Sequence, residues 1–385
     1  PPVAGTPTAA RAGRRRRPHG LASSPAGRPT SPPFLPLQPP HRRALAVALA
    51  TLALAATPLS HACRPHAAAG ATHAGRSLGE VDQPHGSELQ GAHYDGPDDS
   101  DRVSLRPINA ATLRDTVARG AERVIEYHGG QVVPHAVTVH YLWYGNWTAG
   151  CVEQALVEEF TRHIGASPWY AINAQYSDAR GASPSTQVAM GKSAFDPYSE
   201  GASMDDAAIA TAVVRAIDRG ALPDDPQGVY LVLGSADVDA TSGFCSAYCG
   251  FHKVASLPGT RGHRYYGYVG DTRRCGLSCA MQRVGPNGDN AADGMISIIA
   301  HELAEVVTDP YADAWYDFNG LENADKCIWV FGQTYRAANG ATANMKLGGR
   351  DYLIQANWRL APAHVMGGEC ALFPLPLGAA LPRPT

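Results

Sequence analysis

The residues with the most evident chemical potential form a short run, His301-Glu302-Leu303-Ala304-Glu305, inside an otherwise apolar segment. On a helix, residues four apart project from the same face, so the His301 imidazole and the Glu305 carboxylate can converge on one point. Glu302 lies about 100° further around the helix, near the edge of that face. Helices with a His-Glu-x-x-His pattern bind zinc in this way, and the Glu beside the first His activates the metal-bound water. The run therefore predicts a metal site with His301 and Glu305 as ligands and Glu302 as a general base.

Such a site needs a further ligand from elsewhere in the chain. The first candidates are Glu322 and Asp325, which lie just before Cys327, and His140 is a more distant candidate. Because a carboxylate replaces the second histidine of the zinc pattern, the expected cofactor is Zn or another divalent metal, with Ca and Mn as the alternatives.

Two other functions stay open at this stage. One is a secreted zinc-dependent metallohydrolase of the peptidase kind, in which His301 and Glu305 hold the metal and Glu302 is the base. The other is a structural or signalling module in which the same residues form a buried hydrogen-bond network without metal.

The elements that must position these residues follow from hydrophobic periodicity. The helix with the His-Glu run is predicted over 295–307, with Asp293 as its N-cap and Asp309-Pro310 as its end. A second helix is predicted to begin with a capping box at Ser203 and to end at Gly220. Further apolar patterns predict strands over 136–144 and 228–233 and a helix over 152–164. The predicted fold class is α/β or α+β, a single globular domain with a mixed sheet and a buried His-Glu-x-x-Glu helix, compatible with a zincin-like core.

Eight cysteines indicate an oxidising compartment. Two matched pairs lie in Gly-rich loops, and although four thiols can bind zinc, the wider pattern favours disulfides. The connectivity does not follow from the sequence. The disulfide candidates are Cys245, Cys249, Cys275, Cys279, Cys327 and Cys370.

The N-terminal part of the chain has the pattern of a secretory signal. Two arginines precede a short Ala- and Leu-rich run that ends in small residues, which predicts a signal peptide at 42–62. The predicted organisation is a disordered or wrongly assigned extension at 1–41, the signal peptide, a flexible leader at 63–105, one domain at 106–373 and a disordered tail at 374–385. No integral membrane span is expected after signal cleavage, and the sequon at Asn146 is a candidate glycosylation site.

The overall charge argues against one large class of partners. The formal net charge is -3 and only 17% of the residues are charged. Nothing in this balance favours binding to the phosphate backbone of a nucleic acid. Nucleic acid is therefore not expected as a partner.

Five ordered blocks of the predicted domain form a recognisable series, at 139–145, 244–252, 266–270, 287–316 and 352–355. Together these blocks resemble the exordium, or phosphate-induced protein, family of plants. The resemblance implies a secreted protein of the apoplast or cell wall, linked to growth and cell expansion, with extracellular matrix or cell-wall components as partners. It supplies no enzymatic activity or cofactor, so the predicted metal site rests on the residues alone.

Overall fold

The fold is known from a computed structural model that describes residues 124–255, 262–362 and 367–374. The strands in these segments are β1 (Glu126–Tyr127), β2 (Val137–Tyr144), β3 (Val188–Asp196), β4 (Ser203–Met204), β5 (Gly228–Gly234), β6 (Asp239–Ala240), β7 (Gly250–Ala255), β8 (Arg264–Gly270), β9 (Trp315–Tyr316), β10 (Tyr335–Arg336), β11 (Thr342–Ala343), β12 (Met345–Leu347), β13 (Arg350–Tyr352), β14 (Asn357–Leu360) and β15 (Gly368–Ala371). The helices are α1 (Val152–Ile164), α2 (Asp206–Asp218) and α3 (Asn290–Thr308), with 3₁₀ turns at Tyr170–Gln175, Gly276–Ser278 and Asp325–Cys327.

A five-stranded sheet in the order β3-β2-β5-β8-β7 organises the fold. Four of its strands are parallel, and β7 joins the edge antiparallel to β8. The remaining strands pair two by two in small antiparallel or parallel ribbons. The predicted α/β class with a mixed sheet is confirmed.

Side chains alternate between the two faces of this sheet, and each face packs on a different layer. On one face, Tyr141 and Trp143 of β2 share a core with residues of α1 and α3. On the other face, Leu142 and Tyr144 pack with residues of α2. The chain thus has a core on each side of the sheet, and α3 belongs to the first of them.

Two of the predicted helix starts are wrong by a few residues. Asp205 caps α2, since its side chain accepts a hydrogen bond from the Ala208 amide, and Ser203 lies in β4 instead. The side chain of Asp289 caps α3 by accepting hydrogen bonds from the amides of Ala291 and Ala292, whereas Asp293 lies inside the first turn. In both cases a neighbouring Asp has the extended backbone that an N-cap requires.

Helix α3 is buried along almost its whole length. Every residue from Ala291 to Thr308 is buried, including the three ionisable residues of the His-Glu run. The helix follows directly after β8 and the loop behind it, and it packs against β7, β8 and α1. A helix buried on all sides must satisfy its polar side chains inside the protein, because water is not there to do so.

The six candidate cysteines are all paired in disulfides, as predicted. Cys245 bonds to Cys275 and Cys249 to Cys279, so the two Gly-rich loops are stapled to each other and not within themselves. Cys327 bonds to Cys370 near the C-terminal end of the described chain. No described cysteine is free, which excludes these thiols as zinc ligands.

Several predictions concern residues outside the described segments. The extension at 1–41, the signal peptide at 42–62 and the leader at 63–105 all lie there, as does the tail beyond residue 374. Among the described residues, no helix has the length and apolar character needed to cross a membrane.

Candidate metal centre

Helix α3 delivers three side chains to one buried point. The imidazole of His301 and the carboxylate of Glu305 meet as predicted, with Nε2 of His301 3.0 Å from Oε1 of Glu305. Glu302 follows His301 by one residue, so its side chain leaves the helix in a different direction and projects toward β7. All three side chains are at most 1% exposed. The centre therefore lies inside the protein core.

The segment that precedes Cys327 adds two acidic groups. Oδ1 of Asp325 lies 3.5 Å from Nε2 of His301, and the Asp325 amide donates to Oε1 of Glu305 over 3.0 Å. The amide of Glu322 donates to Oδ2 of Asp325, which fixes this carboxylate from the side opposite to His301. Two anchors hold the segment in place: the Cys327–Cys370 disulfide and the hydrogen bond from Thr308 to Asn323.

A second histidine, His252 of β7, enters the centre from the sheet, and sequence reasoning did not identify it. Its Nδ1 lies 3.2 Å from Oε2 of Glu302 and 3.5 Å from Oε2 of Glu305. Its Nε2 lies 3.8 Å from Oε1 of Glu322. The only sequence signal was a lone His in an apolar strand, 50 residues before Glu302. Only the pairing of β7 with β8 places this residue over α3.

Five of the six side chains form two groups with ligand-like geometry, and Glu305 belongs to both. His301, Glu305 and Asp325 form one group, and His252, Glu302 and Glu305 form the other. Within each group one nitrogen and two carboxylate oxygens all lie within 4.8 Å of one another. Of the predicted ligands, the structure brings His301, Glu305 and Asp325 together. Glu322 stands outside both groups, beside His252.

Several polar atoms in the centre make no hydrogen bond. They include both ring nitrogens of His301, Oε2 of Glu305, Oε1 of Glu322 and Oδ1 of Asp325. His301 is close to two carboxylates, but its ring nitrogens make no hydrogen bond to them. Since buried polar groups in native proteins are nearly always hydrogen-bonded, these atoms need another partner. A bound cation can accept lone pairs from these nitrogen and oxygen atoms.

The electrostatics of the first group are unbalanced. Burial opposes protonation of His301, yet the negative charge of Glu305 and the contact with Asp325 raise its pKa to about 10. Burial acts against ionisation of Glu305 too, but the charge of His301 lowers its pKa to about 2. Burial, followed by the charge of Glu305, raises the pKa of Asp325 to about 7. Repulsion between the two carboxylates is thus only partly relieved by one imidazole.

The second group has the same imbalance. Burial opposes the charge on His252, but Glu322, Glu302 and Glu305 raise its pKa well above the ordinary value. Burial and the neighbouring carboxylates raise the pKa of Glu322 well above its ordinary value. Without additional positive charge, the centre must retain protons to stay neutral.

The third candidate ligand from the sequence, His140, does not reach the centre. It lies on β2 in alternation with Tyr141, so it faces the α2 side of the sheet, where its ring stacks on Tyr230. Its Nε2 contacts Oδ2 of Asp225 at 3.2 Å, and its Nδ1 accepts the Lys192 amide. The expectation failed because one residue of strand register decides the face.

The comparison with known proteins places this chain in a family. The profile described as "Phosphate-induced protein 1 conserved region" matches residues 125–361, which contain all six residues of the centre. The chain belongs to the exordium, or phosphate-induced protein 1, family. The resemblance drawn from the sequence blocks is confirmed.

Several proteins of Arabidopsis thaliana and Nicotiana tabacum are similar to this chain. EXORDIUM-like 3 of Arabidopsis thaliana is 31% identical over 282 residues, covering 63% of this chain and 82% of that protein. EXORDIUM-like 5 of the same plant is 31% identical over 275 residues, with coverages of 61% and 75%. PHOSPHATE-INDUCED 1 of Nicotiana tabacum is 26% identical over 249 residues, with coverages of 57% and 76%. No solved structure matches this chain.

Proposed function

We propose that this exordium-family protein holds a divalent metal ion between His301, Glu305 and Asp325. One observation carries the proposal: Nε2 of His301 lies 3.0 Å from Glu305 and 3.5 Å from Asp325, and it makes a hydrogen bond to neither. Ligands about 2.1 Å from a tetrahedral ion are separated from each other by roughly 3.4 Å. The side chains already stand at the separations that a shared ion imposes.

The donor set favours some ions over others. One imidazole and two carboxylates suit Zn and Mn, since nitrogen and oxygen ligands are common for both. Calcium sites are built from oxygen ligands, so the imidazole of His301 disfavours calcium. We therefore propose Zn or Mn as the ion.

The fold supports a finer proposal, that the domain has a zincin-like core. A mixed sheet with an antiparallel edge strand, β7, is followed by β8 and then by the buried helix that carries His301 and Glu305. This order brings a metal-binding helix under the sheet and the edge strand beside the metal.

A structural role for the ion is favoured over hydrolysis. A general base must reach a water and a substrate, but Glu302 is fully buried and its Oε2 contacts His252 at 3.2 Å. The other five residues of the centre are at most 8% exposed. In this arrangement the ion ties α3 to the segment before Cys327. Structural metal sites contribute to folding in this way.

We further propose that the protein acts outside the cell, in the matrix or cell wall, with a role in growth and cell expansion. Its disulfides suit an oxidising compartment, and the family to which it belongs supports this placement. Asn146 is partly exposed, so it is available as a glycosylation site. Expression of the full chain in plant cells tests this: the protein should appear in the apoplastic fluid, and Asn146→Gln should increase its gel mobility. Retention of the protein inside the cell would contradict the placement.

Elemental analysis tests the metal proposal directly. Protein purified from the medium without chelators should contain Zn or Mn near or above one ion per chain, and His301→Gln should lower that content. His140→Gln is the matched control, because His140 is also buried beside a carboxylate but lies on the other face of the sheet. Metal-free protein that also fails to bind added Zn or Mn would support a hydrogen-bond network in place of the metal.

A further inference from the structure

The second histidine of the centre points to a second metal ion. We propose that His252, Glu302 and Glu305 bind this ion, so that Glu305 bridges two cations. The inference rests on the proposed function, since it assigns the first ion to His301, Glu305 and Asp325. It adds a ligand, His252, that no sequence pattern assigned.

The two oxygens of Glu305 carry the geometric argument. Oε1 faces His301 at 3.0 Å, and Oε2 faces His252 at 3.5 Å. Each oxygen is therefore directed to a different imidazole. A carboxylate that bridges two ions presents its oxygens in this way, and bridged ions in two-metal sites lie about 3.5–4 Å apart. A single ion between Glu305 and His301 leaves Oε2, which makes no hydrogen bond, without a cation.

The edge strand is shaped to bring His252 close to α3. Gly250 lies two residues before His252, on the same face of β7. A Cβ at Gly250 would come within 2.5 Å of Cγ2 of Ile298 and 3.0 Å of Oε1 of Glu302. The missing side chain thus allows the strand and the helix to approach each other. At that distance the His252 ring can reach the carboxylates of the helix.

The charges of the centre match two divalent ions. Its carboxyl groups are those of Glu302, Glu305, Glu322 and Asp325, and all four are buried. Four negative charges balance two divalent cations when both imidazoles are neutral. Four carboxylates and two histidines are also the donor count of di-iron and di-manganese carboxylate proteins. A single divalent ion leaves two negative charges that need protons.

Glu322 has a supporting role in this arrangement. Its Oε1 lies 3.8 Å from Nε2 of His252, on the side of the ring opposite to the Nδ1 that faces Glu302 and Glu305. Metal-bound imidazoles commonly direct the second ring nitrogen toward a carboxylate, which fixes their orientation. Glu322 therefore orients His252 and is the fourth negative charge of the centre.

Metal stoichiometry tests the second ion separately from the first. The full mature protein is stripped with chelator, loaded with Zn²⁺, freed of unbound ion by gel filtration and analysed for zinc. We expect two ions per chain in the wild type, one in His252→Gln and two in the control His140→Gln. One ion in the wild type that persists in His252→Gln would overturn the second site and leave the proposed function standing. No ion at all would overturn both.

A spectroscopic measurement covers the case in which His252→Gln fails to fold. Wild-type protein loaded with Mn²⁺ should give an electron paramagnetic resonance spectrum of spin-coupled ions, because a shared carboxylate couples the two centres. Glu302→Gln keeps the size of the side chain and removes one ligand of the second ion. It should restore the hyperfine pattern of isolated Mn²⁺. An isolated-ion spectrum in the fully loaded wild type would contradict the bridge.

Discussion

The two faces of the central sheet each bury histidine, and they satisfy it in different ways. On the α2 face, His140 has one carboxylate partner, Asp225, and one backbone donor, the Lys192 amide. Burial lowers its pKa, which keeps the ring neutral although Asp225 acts in the opposite direction. On the α3 face, His252 and His301 are surrounded by carboxylates, and neither nitrogen of His301 makes a hydrogen bond.

The difference separates a hydrogen-bonded pair whose polar atoms have partners from a cluster of buried charges that do not balance. Both ring nitrogens of His140 have hydrogen-bond partners, so nothing else is needed there. A second pair of this kind lies beside the centre, where the buried ammonium of Lys326 donates to the carboxylate of Asp317 over 2.9 Å. This contact joins groups of opposite charge. The centre itself has carboxyl groups in excess of imidazoles, and buried charge without compensation is strongly unfavourable. A bound cation is the simplest way to complete it.

The largest expected effect comes from Glu305→Gln, because Glu305 belongs to both groups of ligands. The variant should lose all bound metal. At a free ion concentration about 1,000 times the dissociation constant, one ion contributes about 4 kcal/mol to stability. The loss of one such ion should lower Tm by roughly 8–16 °C in a domain of this size, and the loss of two ions should lower it further.

Asp317→Asn is the control for Glu305→Gln, since Asp317 is equally buried but pairs only outside the centre. It should destabilise the fold by removing the charge that pairs with Lys326 in this contact, and leave the metal content unchanged. Equal metal content in both variants would show that the acidic centre does not differ from the Lys326–Asp317 pair in metal binding.

The next effect is the pH dependence of stability, which differs between metal-free and metal-loaded protein. In the metal-free protein the pKa of His301 is raised from 6.5 to about 10. A raised pKa gives stability that is complete below pH 6.5 and is lost as the pH rises toward 10. Metal-free protein should therefore lose stability across this window. As the pH rises, the stability of metal-loaded protein should increase relative to that of metal-free protein, because metal ligands must be deprotonated.

Thermal unfolding of both forms between pH 6 and 9.5 measures this pH effect. The stabilisation by Zn²⁺ should grow with pH, and His301→Gln should abolish the growth. His140→Gln should preserve it. A stabilisation by Zn²⁺ that does not change with pH would contradict the assignment of His301.

A smaller effect is expected from the disulfide that anchors the acidic segment. Replacing both Cys327 and Cys370 by Ser frees the segment that carries Asp325, so Zn²⁺ affinity should fall about tenfold, as for other supporting residues of metal sites. Replacing Cys245 and Cys275 by Ser opens a loop of comparable length, with sequence separations of 30 against 43. That control should lose similar stability and keep its affinity. A similar fall in affinity for both pairs would indicate that the anchor has no special role.

The smallest effect is expected from Gly250→Ala, which tests the approach of β7 to α3. The added methyl group collides with Ile298, and overpacking of this kind costs about 1–3 kcal/mol. Strand and helix should move apart, so the site at His252 should weaken more than the site at His301. Gly220→Ala is a control at an open position, although its left-handed backbone adds local strain. Wild-type metal binding in Gly250→Ala would show that the close approach is not needed.

Part of this account was accessible from the sequence because it depends on local periodicity. The meeting of His301 and Glu305 follows from 3.6 residues per turn, and the bounds of α1 follow from its apolar spacing. The segment with Asp325 was identified because its acidic residues stand next to a cysteine. These signals lie within a few residues of one another.

The remainder depends on tertiary structure. His252 joins the centre only through the pairing of β7 with β8, and no local pattern reports which strands are neighbours. His140 does not reach the centre, because a single residue of register decides on which side of the sheet a strand residue lies. The helix caps were misplaced because several adjacent Asp and Ser residues can cap, and the backbone geometry selects one of them.

The central claim is that a metal ion lies between the helix α3 and the segment before Cys327. Anomalous diffraction at the zinc and manganese edges, from crystals of the secreted protein grown without chelator, tests it most directly. We expect a strong peak about 2.1 Å from Nε2 of His301 and from carboxylate oxygens of Glu305 and Asp325. A map without a peak, even after the crystals are soaked in Zn²⁺ and Mn²⁺, with these side chains in direct contact, would contradict it.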